Sequence, residues 1–132
     1  MIVVDTNVLI HYWLETAEYN AARALLDSDA NWYAPYLWRS EFRNALATHM
    51  RHAGLTLERA RKANRSAELQ MYDHEYFVDP VAVLDLVAAS TCSAYDCEFV
   101  ALARELRVPL ITTDKQILRD FPRIARPLAD YR

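Results

Sequence analysis

The chain begins with MIVVDTNVLI, residues 1–10, in which three polar residues separate two apolar runs. The first run, residues 1–4, is rich in β-branched side chains and predicts a buried strand. Asp5, Thr6 and Asn7 all favour helix N-caps, so they predict a turn from this strand into a helix. One cap needs only one such residue, and the surplus of polar side chains indicates that Asp5 also binds a metal.

The rest of the chain alternates short apolar runs with stretches of helical periodicity. This pattern predicts strands at 1–4, 32–34, 76–78, 110–112 and 126–128, and helices at about 15–27, 37–53, 57–72, 81–88, 99–106 and from 115. Strands that alternate with helices favour a parallel sheet covered on both faces. The 132 residues suit one domain with a single core, so we expect one domain over 1–132.

Composition excludes several classes of protein. Gly54 is the only glycine, and glycine-rich phosphate loops need at least two. Cys92 and Cys97 are too few for a disulfide framework and match no zinc pattern, so we expect two buried thiols in a cytoplasmic protein. The apolar runs fall short of the ~20 residues of a membrane helix. The first residues lack the basic region of a secretion signal.

Four carboxylates lie where elements are predicted to begin: Asp5, Glu41, Asp96 and Asp114. Asp5 and Asp114 each follow a predicted strand, and the carboxyl ends of parallel strands meet at one edge of a sheet. Like charges disfavour each other's ionised form, so acids with no basic residue between them indicate a divalent-metal site. Four oxygen donors without His or Cys favour Mg²⁺ or Mn²⁺ over zinc.

Each of these acids also has a simpler explanation, as a helix cap or as an acid near the start of a helix. Ser93 and Asp96 form a capping-box pattern, Asp114 precedes a short helix, and Glu41 stands where a helix dipole favours an acid. The two interpretations are compatible, because a cap fixes the direction in which a carboxylate points.

Neighbouring polar residues are candidate supports for the four acids. Asn44, one helical turn after Glu41, is expected to steady it, and either Thr112 or Thr113 is expected to orient Asp114 or hold a water. Of the further acids, Glu98 is expected either on the surface or in support of the four acids, and Asp120 is expected on the surface.

Basic residues are unevenly distributed, although the net charge is −3. Segment 51–65 holds five basic residues against one acid, which fits either a solvated helix face or a phosphate-binding surface. Closer to the acids, the candidate phosphate contacts are Arg39, Arg43 and Lys115, although Arg39 is also placed to pair with Glu41. His11, Tyr12 and Trp13 follow the first motif, and core packing is favoured over base stacking for the last two.

Four segments together resemble the PIN domain, and more narrowly the VapC-type toxin ribonucleases. They are VVDTNVLI at 3–10, SEFRNAL at 40–46, SAYDCEFVALA at 93–103 and PLITTD at 109–114. The resemblance spans nearly the whole chain in order and spacing. It departs slightly at Cys97, where the family often has Ala.

The resemblance implies a Rossmann-like α/β/α sandwich of three layers with a central parallel sheet. It implies a metal-dependent endoribonuclease that acts as a toxin, forms a homodimer, and is inhibited by a protein antitoxin covering the acidic pocket. By this match the catalytic and metal-binding residues are Asp5, Glu41, Asp96 and Asp114, with supporting roles for Thr6, Asn7, Asn44 and Thr112.

Three other functions compete with the toxin. A housekeeping RNA-processing nuclease would carry the same site, whereas a non-catalytic interaction module of PIN type is expected to have lost some of the acids. An aspartyl-phosphate phosphohydrolase typically needs a second Asp two residues after the first, and Asn7 stands there. For a nuclease that uses water as nucleophile, the expected products are a 5′-phosphate and a 3′-hydroxyl.

Overall fold

The computed structural model describes residues 1–131 as a five-stranded sheet with helices on both faces. The strands are β1 Ile2–Val4, β2 Trp32–Pro35, β3 Glu75–Tyr76, β4 Leu110–Thr112 and β5 Ala125–Pro127. The helices are α1 Thr6–Trp13, α2 Tyr19–Ser28, α3 Leu37–His52, α4 Leu57–Met71, α5 Pro80–Ala88, α6 Ala94–Leu106 and α7 Lys115–Asp120, and a 3₁₀ turn spans Leu128–Asp130. Every strand pairing is parallel, in the order β3-β2-β1-β4-β5.

The layers confirm the three-layer α/β/α sandwich. Helices α1 to α4 contact one another and reach β2 and β4, while α5 contacts α6, which packs on β1, β2 and β4. The central strands carry apolar side chains to both layers, since Val3, Val4, Leu110 and Ile111 are all fully buried. Continuous apolar runs of this kind are typical of parallel strands covered on both faces.

The order of the strands creates a crevice at one edge of the sheet. The chain moves from β1 outward to β2 and β3, then crosses back to place β4 on the other side of β1. Ligands of open parallel sheets bind at such a reversal, beyond the carboxyl ends of the strands. Asp5 follows β1 directly and Asp114 follows β4 by two residues, so both lie at this crevice.

Element boundaries differ from prediction where side chains leave the core. Phe77 is 88% exposed, so the strand expected at 76–78 ends at Tyr76. The helix expected at 15–27 begins at Tyr19, and α1, which precedes it, is the helix predicted to follow the first strand. The helix marked by the apolar residues of 99–106 begins at Ala94, directly after Ser93, where the capping-box pattern predicts its start.

Two smaller expectations concern the end of α3 and the length of the helices. α3 ends at His52, and Gly54 follows with a φ of 71°, a left-handed conformation that glycine adopts without strain. Within residues 1–131, none of the helices combines the length and apolar character needed to cross a membrane.

Candidate active site

Asp5 is buried at the carboxyl end of β1, with 7% of its surface exposed. It occupies the N-cap position of α1, yet its side chain makes no capping hydrogen bond. Its Oδ2 instead accepts hydrogen bonds from the Thr112 hydroxyl at 2.7 Å and from Asn7 Nδ2 at 3.1 Å. The helix-cap explanation is therefore wrong for Asp5, whose carboxylate points into the crevice between β1 and β4.

Thr112 links Asp5 to the segment that carries Asp114. Its buried hydroxyl donates to Asp5 and accepts a 2.9 Å hydrogen bond from the Asp114 backbone N–H. Of the two threonines considered, Thr112 therefore orients this acidic pair. Thr113 faces another way, with its hydroxyl 3.5 Å from His11 Nε2.

Asp114 caps α7, as predicted. Its Oδ1 accepts hydrogen bonds from the backbone N–H groups of Gln116 and Ile117, at 2.8 and 3.0 Å. Its Oδ2 accepts none from the described residues. The cap fixes one oxygen of the carboxylate and leaves the other available to a ligand.

Glu41 projects from α3 and is held by Thr6. The Thr6 hydroxyl donates a 2.7 Å hydrogen bond to Glu41 Oε1. The bond expected from Asn44 does not occur in the part of the chain described, where Asn44 lies exposed on the pocket wall. The supporting residue for Glu41 is therefore Thr6, which α1 brings to it from 35 positions away.

Asp96 stands in the first turn of α6. The Ser93 hydroxyl accepts a 3.1 Å hydrogen bond from the Asp96 backbone N–H, which confirms the predicted cap. The carboxylate of Asp96 is half-buried and lies on the pocket.

The four acids line a single pocket of about 510 Å³. Its other lining residues are Thr6, Asn7, Ile10, Leu37, Ser40, Asn44, Ala45 and Tyr95. None of these described lining residues is Lys, Arg or His. Across residues 1–131, no three His, Cys, Asp or Glu side chains already stand close enough together to hold a metal ion. The acids thus face a common space without forming a closed coordination shell.

Electrostatic repulsion is concentrated in this pocket. The pKa of Asp5 is raised to about 7, chiefly by burial; the Thr112 hydrogen bond opposes the rise, and the charges of Glu41 and Asp96 contribute to it. Burial likewise raises the pKa of Glu41, with Asp96 adding to it, and the pKa of Asp96, with Asp114 adding to it. Oxygen donors that repel one another across a space without a cation fit a hard divalent ion such as Mg²⁺.

Two further acids, Glu98 and Asp120, have defined surroundings. Glu98 is partly buried and its charge contributes to the raised pKa of Glu41, so it lies near the pocket. Asp120 has a side chain only 11% exposed and accepts hydrogen bonds from Thr91. Tyr95 is a pocket residue that the sequence patterns do not single out, and its signal is its position directly before Asp96 at the start of α6.

Arg39 is held away from the acidic pocket by Glu75. Its Nε and Nη2 donate to the two Glu75 oxygens at 2.5 and 2.8 Å, and Glu68 lies 3.7 Å from Nη1. The indole N–H of Trp38 donates to the same Glu75 carboxylate at 2.8 Å. The predicted pairing of Arg39 with Glu41 is therefore wrong, because a bidentate partner on β3 takes the guanidinium.

Arg43 and Lys115 are the free cations nearest in sequence to the acids. Both are exposed, and neither forms an ion pair within residues 1–131. Arg43 makes only a 3.4 Å contact with the Ser40 hydroxyl. Their charges remain available to a phosphate.

The aromatic residues after the first motif pack against the core, as favoured. Tyr12 and Trp13 meet edge to face with ring centroids 4.9 Å apart, and the Trp13 indole donates to Gln70 Oε1 at 2.8 Å. His11 is partly buried, with Nδ1 2.6 Å from the Thr16 hydroxyl. None of the three lines the acidic pocket.

Comparisons with known proteins agree with this architecture. The PIN domain family profile matches residues 2–126. Among solved structures, FitAcB from Neisseria gonorrhoeae superposes with a TM-score of 0.75 at 20% identity, covering 98% of this chain and 99% of that one. FitAB bound to an IR36 DNA fragment gives 0.70 at 17% identity, covering 97% and 95%.

A third solved structure shares the fold at lower similarity. VapBC2 from Rickettsia felis, bound to a DNA fragment from its promoter, gives a TM-score of 0.61 at 11% identity, covering 96% of this chain and 98% of that one. No curated protein sequence matches the chain significantly. The match to the family profile spans nearly the whole chain, and the sheet order and acidic crevice of this chain agree with that match. The chain therefore belongs to the PIN domain family.

Proposed function

We propose that this protein is a metal-dependent endoribonuclease that acts as the toxin of a toxin–antitoxin pair. The observation that carries the proposal is the pocket itself. Asp5, Glu41, Asp96 and Asp114 line one space at the carboxyl ends of β1 and β4, and no described lining residue is a cation. PIN domains are nucleases, and this pocket keeps all four acidic positions of the VapC-type pattern.

The ion in this proposal is Mg²⁺ or Mn²⁺, held by Asp5, Asp96 and Asp114, with Glu41 as a further ligand or as the residue that positions water. When bound, the ion would acidify a water molecule and offset the charge that develops on the scissile phosphate. Hydrogen bonds within the chain orient these carboxylates. Thr112 fixes Asp5 Oδ2, Thr6 fixes Glu41 Oε1, and the α7 cap orients Asp114.

The RNA would reach this acidic space through its phosphates. Arg43 and Lys115 are the exposed cations proposed to bind them, because neither is occupied by an ion pair in the described chain. Water attack on phosphorus with departure of the 3′ oxygen yields a 5′-phosphate and a 3′-hydroxyl. Thr6, Asn7 and Thr112 act in this scheme by positioning carboxylates rather than by touching RNA.

The toxin assignment rests on the sequence resemblance and on the kind of structure that shares this fold, which includes VapBC2. In this proposal a protein antitoxin covers the acidic pocket, and a basic side chain of the partner would satisfy the unneutralised carboxylates. The protein would act on RNA in the cytoplasm.

A homodimer is the proposed assembly. Phe77, Val81 and Leu84 lie close in sequence and are 88, 64 and 63% exposed. Apolar surface of this kind on a small domain favours burial against another chain. Sedimentation of the purified protein tests this, and a monomer at micromolar concentration would reject it.

The decisive experiment is cleavage of defined RNAs with Mg²⁺ or Mn²⁺ by the wild type and by Asp5→Asn, which keeps size and removes charge. Asp85→Asn is the matched control, since Asp85 is exposed on α5 away from the pocket. We expect cleavage by the wild type and the control only. Equal cleavage by Asp5→Asn would identify a contaminating nuclease, and a 2′,3′-cyclic phosphate product would reject water as the nucleophile.

Expression in cells separates the toxin from a housekeeping nuclease with the same site. Growth arrest that depends on Asp5, and that a neighbouring gene product relieves, is the expected result. Cleavage in vitro without arrest in cells would favour RNA processing. A protein that neither cleaves RNA nor binds Mn²⁺ would be an interaction module.

A further inference from the structure

Asp120 stands at the last position of α7, where its charge is unfavourable for the helix. The carboxyl end of a helix carries partial negative charge, which disfavours an acid. Asp120 nevertheless has a side chain only 11% exposed. Its position is therefore explained by what it binds and not by the stability of α7 alone.

The partner of Asp120 is the loop that joins α5 to α6, residues 89–93. Asp120 Oδ2 accepts hydrogen bonds from the Thr91 backbone N–H at 2.8 Å and from the Thr91 hydroxyl at 2.6 Å. The Cys92 thiol lies 3.7 Å from the same oxygen. These bonds hold the pKa of Asp120 at about 2, so the carboxylate remains charged at any pH where RNA is handled.

A second residue of α7 holds the same loop from one turn earlier. Gln116 Nε2 donates to the Thr91 carbonyl at 2.7 Å and to the Thr91 hydroxyl at 3.0 Å. Thr91 is thereby fixed at its N–H, its carbonyl and its hydroxyl by one short helix. A loop position restrained at all three groups cannot shift independently of α7.

The two ends of this connection carry two of the pocket acids. α7 begins at its cap Asp114, and the loop leads within two residues from Thr91 to Ser93, the cap of α6. Asp96 lies in the first turn that Ser93 begins. The contacts of Asp120 and Gln116 with Thr91 therefore connect the segment that carries Asp96 to the helix that Asp114 caps.

We propose that Asp120 is a positioning residue for the active site, because its hydrogen bonds to Thr91 set the separation of Asp96 and Asp114. The inference rests on the proposed function, in which these two acids share a metal ion. The sequence alone places Asp120 among the surface acids, since its partner is 29 residues away.

The test measures Mn²⁺ binding directly, by calorimetry or by the electron paramagnetic resonance signal of free Mn²⁺, beside RNA cleavage. Residues that support metal ligands typically change metal affinity by about 10- to 100-fold. We expect Asp120→Ala to weaken Mn²⁺ binding by about tenfold. Asp120→Asn, which keeps one acceptor oxygen for Thr91, should restore much of the affinity. Asp85→Ala, which removes an exposed acid from α5, is the control for charge and should bind as the wild type does.

A purely structural role predicts a different result. Asp120→Ala would then lower the thermal midpoint, while the folded protein would bind Mn²⁺ with wild-type affinity, and this outcome overturns the proposal. If Asp120→Ala does not fold, Thr91→Val provides the test, because this substitution removes the hydroxyl but keeps the shape of the side chain. Unchanged Mn²⁺ affinity in Thr91→Val also overturns the proposal. Wild-type protein that binds Mn²⁺ without cutting RNA would reject the proposed nuclease and leave this test intact.

Discussion

The Thr6 hydroxyl donates a 2.7 Å hydrogen bond to Glu41 Oε1, joining the first turn of α1 to α3. Asp5, the residue before Thr6, directs its carboxylate into the same pocket. The pair therefore ties one pocket acid to the strand end that carries another. Because the hydrogen bond favours the charged carboxylate, it lowers the pKa of Glu41 against the effect of burial, which raises it.

Replacing Thr6 with Val should weaken metal binding and shift the pH dependence of cleavage. Loss of the hydroxyl raises the pKa of Glu41, so its carboxylate ionises at higher pH and the acidic limb of the pH–rate profile moves upward. We expect about tenfold weaker Mn²⁺ binding, the lower range for a residue that supports a metal ligand. Thr6→Ser keeps the donor and should behave as the wild type. A Val variant with an unchanged pH profile would contradict the role given to Thr6.

The raised pKa of Asp5 predicts how the free energy of unfolding of the metal-free protein depends on pH. The folded-state pKa of about 7 exceeds the ordinary value of 3.8, so the folded state holds this proton more strongly than the unfolded state. Stability from this group is fully present below about pH 4 and declines as pH rises toward 7. Glu41 and Asp96, whose pKa values are also raised, act in the same direction.

Asp5→Asn should therefore stabilise the metal-free protein at pH 8. One pKa unit corresponds to about 1.4 kcal/mol, and the gain should be roughly 2–4 kcal/mol in the free energy of unfolding. At pH 4 the gain should vanish. Denaturation in urea at both pH values measures this gain. The lowered pKa of His11 makes stability rise with pH, opposite to the effect of Asp5. This contribution is common to variant and wild type, so it cancels in the difference between their free energies of unfolding. A destabilised Asn variant at pH 8 would show that Asp5 is not strained in the metal-free pocket.

Local patterns in the sequence predict the fold and the acidic positions well, because both depend on neighbours along the chain. An apolar run followed by Asp5 already marks a strand end, and Ser93 before Asp96 already marks a helix start. Parallel strands then bring their carboxyl ends together by a general rule. These inferences need no knowledge of which side chains meet.

The partners of these residues depend on tertiary packing and are harder to predict. The sequence pairs Glu41 with Asn44, one turn away, whereas Thr6 reaches it from another helix. It places Arg39 beside Glu41, whereas β3 brings Glu75 to that guanidinium. In both cases the actual partner is distant in sequence, 35 residues away for Thr6 and Glu41 and 36 for Arg39 and Glu75.

The pairing of Arg39 with Glu75 predicts that Arg39 serves the fold and not the substrate. The Glu75 side chain is 4% exposed, so Arg39→Gln leaves a buried carboxylate without its ionic partner. We expect a loss of about 2 kcal/mol in unfolding free energy, the range for hydrogen bonds to charged groups. RNA affinity of the folded variant should be unchanged.

Arg43→Gln and Lys115→Gln form the matched comparison, because both residues are exposed and carry no ion pair within residues 1–131. Stability should stay within about 0.5 kcal/mol of the wild type, as for most surface substitutions. RNA affinity should fall, and the salt slope of binding should decrease by about 0.7 for each phosphate that is no longer neutralised. The reverse pattern, in which Arg39→Gln alone reduces RNA binding, would restore Arg39 as a residue that binds phosphate.

The basic segment 51–65 fits either a solvated helix face or a phosphate-binding surface, and α4 allows a direct test. Arg61 and Arg65 are exposed one turn apart on this helix and form no ion pair in the described chain. If RNA phosphates lie along it, Arg61→Gln with Arg65→Gln should lower RNA affinity and reduce the salt slope by about 1.4. Cleavage of a dinucleotide, whose single phosphodiester would occupy the active site, should not change.

The control for this pair removes equal charge elsewhere. Arg104 and Arg123 line a cavity beside Pro109, at the amino end of β4, opposite the strand ends that carry the acids. Arg104→Gln with Arg123→Gln should leave the salt slope unchanged if binding follows α4. Equal reductions in both double variants would mean that RNA responds to total charge alone. An unchanged affinity in the α4 variant would make segment 51–65 a solvated helix face, and phosphate binding would then be confined to Arg43 and Lys115 beside the pocket.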